Sequence, residues 1–357
     1  MQQPKLFFPA LTGLRAIAAW MIFIYHFFPF NNPSKYPSIL YHFIEEFHIG
    51  VDIFFVLSGF LITYRYFDQD PIDFKKYMMN RVARIYPMYF LITIAVFLVY
   101  FIQNNSWDSN KTLELFLSLT MSKALFMDFI LGGIPQGWTL TLEEMFYFTA
   151  PFYFILIKKN KNYLWLLLFA VFGVYALLKY LFNFEGNRYG FLQTNIHTYV
   201  SEFFAGIALA YIIIKNKIKS KGYWTYFGIT IILMYLLTRG YLKDSLNLKQ
   251  DFNRFIELII LGFVGVAPTI YGLIYEKTII QNILSHKYMI VLGKSSYIFY
   301  LIHKGFIPVF INDYISDNKL LIFVLLNIIS ILLFNTMEEP LNNYIRKLYN
   351  KKNLNVS

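Results

Sequence analysis

IYPMYFLITIAVFLVYFI, residues 85–102, contains no charged side chain and begins directly after an arginine pair, Arg81 and Arg84. Such a run approaches the roughly 20 apolar residues that carry a helix across the hydrocarbon of a bilayer. Lipid offers no water to an exposed amide, so a segment of this kind must close its backbone hydrogen bonds on itself, as a helix does. Moving outward, comparable runs recur at Leu164–Leu178 and Leu320–Phe334. Hydropathy places spans at 10–28, 48–66, 85–102, 137–157, 163–182, 197–214, 223–239, 253–275, 289–311 and 319–336. The composition agrees: of 357 residues, 57% are hydrophobic, 20% aromatic and only 15% charged, where a soluble domain carries about 25% charged residues. The expected fold is all-α, a polytopic transmembrane helical bundle of about ten spans forming a single domain over residues 1–357.

One further stretch, Leu113–Leu131, is apolar but interrupted by Ser118, Ser122, Lys123 and Asp128. Charge parity decides its status. The loop holding Lys75, Lys76, Arg81 and Arg84 and the loop holding Lys158, Lys159 and Lys161 are both strongly basic, which assigns both to the cytoplasmic side. The spans at 85–102 and 137–157 already supply the even number of crossings this demands, so 113–131 is expected to be re-entrant or to lie at the outer interface. On that topology the loop at Lys215–Lys221 and the tail with Arg346, Lys347, Lys351 and Lys352 also fall inside, and both termini are cytoplasmic. Lys and Arg outside the spans then divide into about 18 inside and about 7 outside. The net charge of +11 thus reads as topology in membrane lipid; a nucleic-acid surface would gather basic and aromatic residues on one soluble face. No cysteine is present, which excludes disulfides, thiolate metal sites and a cysteine nucleophile, and no metal is expected. The N-terminal apolar run holds Arg15 and His26 and lacks a small-residue cleavage pattern, so it reads as a retained first span. No internal repeat or low-complexity linker occurs, which weighs against a transporter built from repeats.

Ionisable side chains inside a span are costly and therefore mark candidate functional sites. Arg15 and His26 are separated by about three helical turns and roughly 20° of net rotation, so they share one face about 16 Å apart in depth, Arg15 toward the cytoplasm and His26 toward the outside. The alternative is an arginine that snorkels and a histidine satisfied by a neighbour. Asp52 stands near the outer end of the second span, where it could pair with His48 or an arginine, and Ser58 and Gly59 suit close helix approach. In the fourth span, which opens with Trp138, Glu143 lies about 9 Å deep with Thr139 and Tyr147 one turn away on its face. Pro151 frees the carbonyl of Tyr147, which predicts a kink. By depth, His26, Asp52 and Glu143 could form a single cluster. On the ninth span Gly293, Ser296, Tyr300 and His303 fall at helical spacing, as a polar stripe or as a packing seam with one satisfied histidine. Glu202 and Glu338 read as partners for arginines. Arg81 and Arg84, one turn apart, suit bidentate phosphate binding or serve only as orientation charges.

The same positions, in order along nearly the whole chain, resemble the acyltransferase-3 family of integral membrane acyltransferases. The matching stretches are GLRAIAAWMIFIYH (Gly13–His26), GVDIFFVLSGFLIT (Gly50–Thr63), RVARIYPMY (Arg81–Tyr89), WTLTLEEMFY (Trp138–Tyr147), GKSSYIFYLIH (Gly293–His303) and EEP (Glu338–Pro340). The resemblance implies that Arg15 and His26 are the paired arginine and histidine of the family's first helix, with His26 essential for transfer. It implies that Arg81 and Arg84 serve the acyl-CoA donor, most often acetyl-CoA, and that Glu143 is the glutamate of the tryptophan-containing motif. It also implies a cell-envelope carbohydrate as acceptor. Because the chain ends in a basic tail, a stand-alone member without an esterase-like domain is expected, with a separate extracytoplasmic acyl-accepting protein as a further partner to consider. In the mechanism this suggests, His26 is the general base for the acceptor hydroxyl. Glu143 or Asp52 orients it, Arg81 and Arg84 hold donor phosphates, and Arg15 steers the thioester outward. Tyr147, Ser296 and Tyr300 are unranked oxyanion donors, and Trp138 and His303 are further substrate-binding candidates. The competing reading is a transporter or flippase for a glycan or lipid-linked substrate, with the histidine and carboxylates as a proton relay.

Overall fold

The computed structural model describes residues 7–28, 36–182, 196–216, 222–246 and 259–354. Among these all regular structure is helical, as α1 (Pro9–Phe27), α2 (Ser38–Glu45), α3 (Gly50–Tyr66), α4 (Phe74–Asn104), α5 (Ser109–Leu119), α6 (Trp138–Lys159), α7 (Tyr163–Phe182), α8 (Ile196–Asn216), α9 (Trp224–Leu246), α10 (Ala267–Tyr275), α11 (Ile279–Leu284), α12 (Lys287–Ile302), α13 (Phe306–Tyr314), α14 (Lys319–Leu333) and α15 (Glu339–Leu354). Among the described residues, five stretches are long and apolar enough to cross a membrane: Pro9–Phe27, Ser38–Tyr66, Phe74–Asn104, Pro135–Lys159 and Lys319–Lys351. Tyr163–Val174 and Ile260–Tyr275 are shorter apolar helices. Many large apolar side chains are exposed, among them Leu98, Ile102, Phe152, Leu166, Phe169 and Leu332. Exposed apolar side chains of that size on long apolar helices suit lipid.

Several boundaries differ from the hydropathy reading. The span at 85–102 is the C-terminal part of a longer helix, so Arg81 and Arg84 lie within α4 rather than in a loop before it. Asp73 caps that helix by accepting from the Lys76 amide at 2.9 Å. The expected span at 289–311 is two helices, α12 and α13, separated at Gly305, whose φ of 116° lies in a region that residues with a Cβ rarely adopt. The span at 48–66 is preceded by α2 and a 3₁₀ turn, Glu46–Ile49. At the other end, α14 continues through a π-helical turn, Phe334–Glu338, into α15, so the basic tail is a helix as far as Leu354. The stretch at 113–131 is the short α5 followed by 3₁₀ turns at Lys123–Leu125 and Met127–Phe129, too short to cross hydrocarbon. Most of the expected basic loop at 215–221 and the opening of the span expected at 253–275 lie outside the described residues.

The chain divides into two compact units: Met1–Tyr64 with Ser201–Ser296, and Arg65–Val200 with Tyr297–Ser357. In the first, Leu14, Ala18, Ile53, Val56 and Phe60 share a core with Leu209, Leu261, Ile270 and Leu273. Its helices meet at small residues. A Cβ on Gly59 would strike the Phe203 carbonyl, and one on Gly206 would strike the carbonyl of Val56, so α3 and α8 touch backbone to backbone. Gly293 meets the Thr12 backbone in the same way. In the second unit α4 packs against α6 and α15, over a core that includes Tyr77, Tyr89, Phe67 and Phe154.

Candidate active site

In the second unit the polar residues of α4, α6 and α12 join into one track. Arg81 and Arg84 are one turn apart, and both are partly buried. The Arg84 guanidinium lies 3.3 Å from the buried carboxylate of Glu338, the arginine partnership expected of that glutamate. The Arg81 guanidinium stands 5.5 Å from the centre of the Tyr147 ring and 6.0 Å from that of Tyr66. These are favourable distances for a cation over an aromatic face. Tyr147 in turn donates its hydroxyl to the carboxylate of Glu143. The Tyr147 carbonyl, which Pro151 leaves without an intrahelical donor, accepts the hydroxyl of Tyr77 at 2.7 Å. Tyr147 is thus held at both its hydroxyl and its carbonyl.

The other end of the track is built around Gln136, one turn before Thr139. The Gln136 side-chain amide donates to the carbonyls of Tyr300 at 2.9 Å and Leu301 at 2.6 Å, and the Gln136 backbone carbonyl accepts from the Thr139 hydroxyl at 3.1 Å. The Tyr300 hydroxyl, 2.8 Å from that of Thr139, shares a hydrogen bond with it. Tyr300 lies within electrostatic range of Glu143, which links this end to Tyr147 and Arg81. His303 is fully buried, and its Nδ1 donates to the Tyr300 carbonyl at 2.7 Å. Trp138 packs its ring 5.9 Å from that of Tyr199.

The connection leading into α6 is pinned by Lys123, a residue whose role the sequence did not disclose. It is 0% exposed, and its Nζ donates to the Gly132 carbonyl at 2.6 Å and to the Ile134 carbonyl. Burial pulls its pKa from 10.5 down to about 7, while the nearby Glu114 carboxylate opposes the shift. Glu114 also accepts the Gly133 amide at 2.8 Å and pairs with Lys111 at 2.7 Å. Glu144, the neighbour of Glu143, is a second residue that the sequence pattern did not single out; it interacts electrostatically with Arg81. The doubled glutamate was the available signal: residues adjacent on a helix point about 100° apart, so one carboxylate can face Tyr147 while the other faces α4.

The first unit holds the remaining candidates. The Arg15 guanidinium is 5.8 Å from the Phe54 ring centre. His26, near the end of α1, is exposed and lies edge-on to Tyr25. Asp52 is 2% exposed in the first turn of α3, where the helix dipole favours a carboxylate. His48, a partner expected for Asp52, has its Nε2 3.8 Å from Glu46. Glu46 also receives a hydrogen bond from Arg239 at 3.0 Å. Ser296 donates to the Gly293 carbonyl at 2.8 Å, one turn back along α12. Glu202, buried in α8, accepts from the Ser201 hydroxyl at 2.9 Å. His26 and Asp52 belong to the first unit and Glu143 to the second, and each is described within its own unit. No cluster of three or more His, Asp or Glu suited to a metal occurs among the described residues.

Comparison with known proteins gives this arrangement a context. Residues 8–336 match a family model for an acyltransferase domain, that of acyltransferase 3. A protein of Staphylococcus aureus strain COL named "Putative O-acetyltransferase SACOL0978" is 24% identical over 360 residues, covering 89% of this chain and 53% of that protein. O-acetyltransferase OatA of Staphylococcus aureus strain NCTC 8325 / PS 47 is 24% identical over 380 residues, covering 99% of this chain and 58% of OatA. The chain therefore spans little more than half the length of these curated relatives. No solved structure matches it.

Proposed function

Because the chain belongs to the acyltransferase-3 family, we propose that it is a membrane-embedded O-acyltransferase that moves an acetyl group from cytoplasmic acetyl-CoA to a hydroxyl of a cell-envelope carbohydrate. In this reading the chain crosses the bilayer about ten times, with both termini inside. Arg81 and Arg84 hold the donor's phosphates at the inner end. The acceptor hydroxyl attacks the thioester carbonyl carbon, the carbon–sulfur bond breaks, and the departing thiolate becomes the thiol of CoA. His26 takes the hydroxyl proton and delivers it to that sulfur, since neutral imidazole is a competent base near pH 7. Glu143, oriented by Tyr147, is the carboxylate of the track. The names of the relatives support acetyl as the group and oxygen as the acceptor atom; the carbohydrate rests on the motif resemblance.

The observation that carries this reading is the polar track from Arg81 through Tyr147 and Glu143 to Thr139 and Tyr300. Buried polar groups in an apolar protein are expensive, and a connected row of them reaching from phosphate-binding side chains toward the other end of α6 has a use in transfer across the bilayer. Membranes containing the protein, incubated with acetyl-CoA labelled in its acetyl group, are expected to label envelope glycan. His26→Ala is expected to abolish that label while the protein stays as abundant as wild type. Full labelling by the variant would remove His26 as the base, and flux of a glycan without consumption of acetyl-CoA would favour a transporter.

A further inference from the structure

Four arginines, not two, converge at the inner part of the second unit. Arg65 ends α3, Arg81 and Arg84 come from α4, and Arg346 comes from α15, which packs along α4. Arg346 lies within electrostatic reach of Arg81, Arg65 and Arg84, and Arg65 within reach of Arg81 and Arg84. The group is held by neutral polar contacts. The Tyr66 hydroxyl interacts with both Arg65 and Arg81 and accepts the Asn80 side-chain amide at 3.4 Å. The Asn80 carbonyl accepts from Arg346 at 3.4 Å. Glu338 pairs with Arg84, and Glu144 interacts with Arg81; with these two carboxylates counted, positive charge is still in excess. The Nε atoms of Arg81 and Arg346 are buried without a hydrogen-bond acceptor among the described residues.

Gathering like charges is unfavourable, and leaving buried donors unused adds to the cost. Both penalties are relieved by one class of ligand, a phosphate ester, whose oxygens accept several guanidinium N–H bonds at once. We propose that Arg65 and Arg346 complete a four-arginine cradle for the phosphates of the nucleotide donor, so that the C-terminal helix α15 is part of the donor site. The proposal rests on the reading that Arg81 and Arg84 face acyl-CoA, and it adds two residues that lie outside the matched motifs. The same chemistry would also suit an anionic lipid headgroup, and the test separates the two.

The full chain is purified into nanodiscs of zwitterionic lipid, and binding of CoA, 3′-dephospho-CoA and pantetheine is measured by calorimetry for wild type, Arg65→Gln, Arg346→Gln and Arg346→Lys. Loss of a charge-assisted phosphate contact is expected to weaken CoA binding by about ten-fold or more for each Gln variant. Arg346→Lys should recover part of the loss, and pantetheine, which has no phosphate, should bind the Gln variants as it binds wild type. Equal weakening for pantetheine would assign Arg65 and Arg346 a structural role and overturn the cradle, as would CoA binding that ignores the substitutions. If wild type in the zwitterionic disc binds CoA no better than pantetheine, while discs made with anionic lipid retain that lipid on wild type and lose it in the Gln variants, the headgroup is the ligand and the donor assignment falls. Should CoA bind in the phosphate-dependent way while no acetyl group is ever transferred, the cradle survives and the acyltransferase reading fails.

Discussion

Lys123 shows how a single side chain can be invisible in a sequence and central in the fold. In the pattern of residues it merely interrupts an apolar stretch, whereas in the structure it is buried and ties two carbonyls of the connection entering α6. Its pKa near 7 gives a pH dependence of definite sign. Between about pH 7 and 10.5 the opened connection binds a proton that the closed one has released, so resistance to opening rises with pH across that window, by on the order of 4–5 kcal/mol in total. Hydrogen exchange of the 132–137 amides is expected to slow with pH, beyond the intrinsic rate correction, in wild type and to lose this dependence in Lys123→Met. A flat wild-type profile would contradict it. Tyr147→Phe removes the hydroxyl that orients Glu143 but keeps the ring beside Arg81. Acetyl transfer is expected to fall by about ten-fold or more with donor affinity little changed, and unchanged transfer would take Glu143 out of the reaction. The candidates Arg81, Arg84, Glu143, Tyr147 and Tyr300 were legible because their charges or hydroxyls stand out against apolar helix. Gln136 was not, since a neutral amide just before a span looks like loop.

At the scale of elements, existence was easier to read than extent. Hydropathy starts the helix at residue 85 because arginines are costly in lipid, yet α4 begins at Phe74. The missing information was tertiary: Tyr147, Tyr66 and Glu338 come from far along the chain to receive the guanidinium groups. The break between α12 and α13 had a local signal in Gly305 with Pro308 beyond it, the usual signature of a helix end, but the surrounding apolar run masked it. The small-residue seam was legible at Ser58 and Gly59, and its partner Gly206 supplies the other half. Gly206→Val should force α3 and α8 apart, costing about 1–3 kcal/mol. The expected readout is a lower thermal midpoint and reduced abundance in the membrane, whereas Ser58→Ala is expected to stay near wild type. A Gly206→Val protein of unaltered stability would mean that the two helices do not meet at that point.

For the whole molecule, the absence of cysteine offers a direct test of topology. Lys161→Cys is expected to react with a membrane-impermeant thiol reagent only from the cytoplasmic side, and Lys111→Cys only from the outside. Both reacting from one side would break the parity on which the orientation rests. The pattern of basic loops is what predicts that orientation, while the division into two units, each drawn from distant stretches, left no trace in the order of motifs. One detail described above reaches across this scale. With a proline four residues ahead, Tyr147 is tethered to Tyr77 on α4 by its backbone and to Glu143 by its side chain. On the proposal that the arginines take the donor, Tyr147 would act as a tie rod: a displacement of α4 would reach the backbone of Tyr147 through Tyr77 and the Glu143 carboxylate through the Tyr147 hydroxyl. Loading among the arginines and readiness at the glutamate would then be mechanically one event.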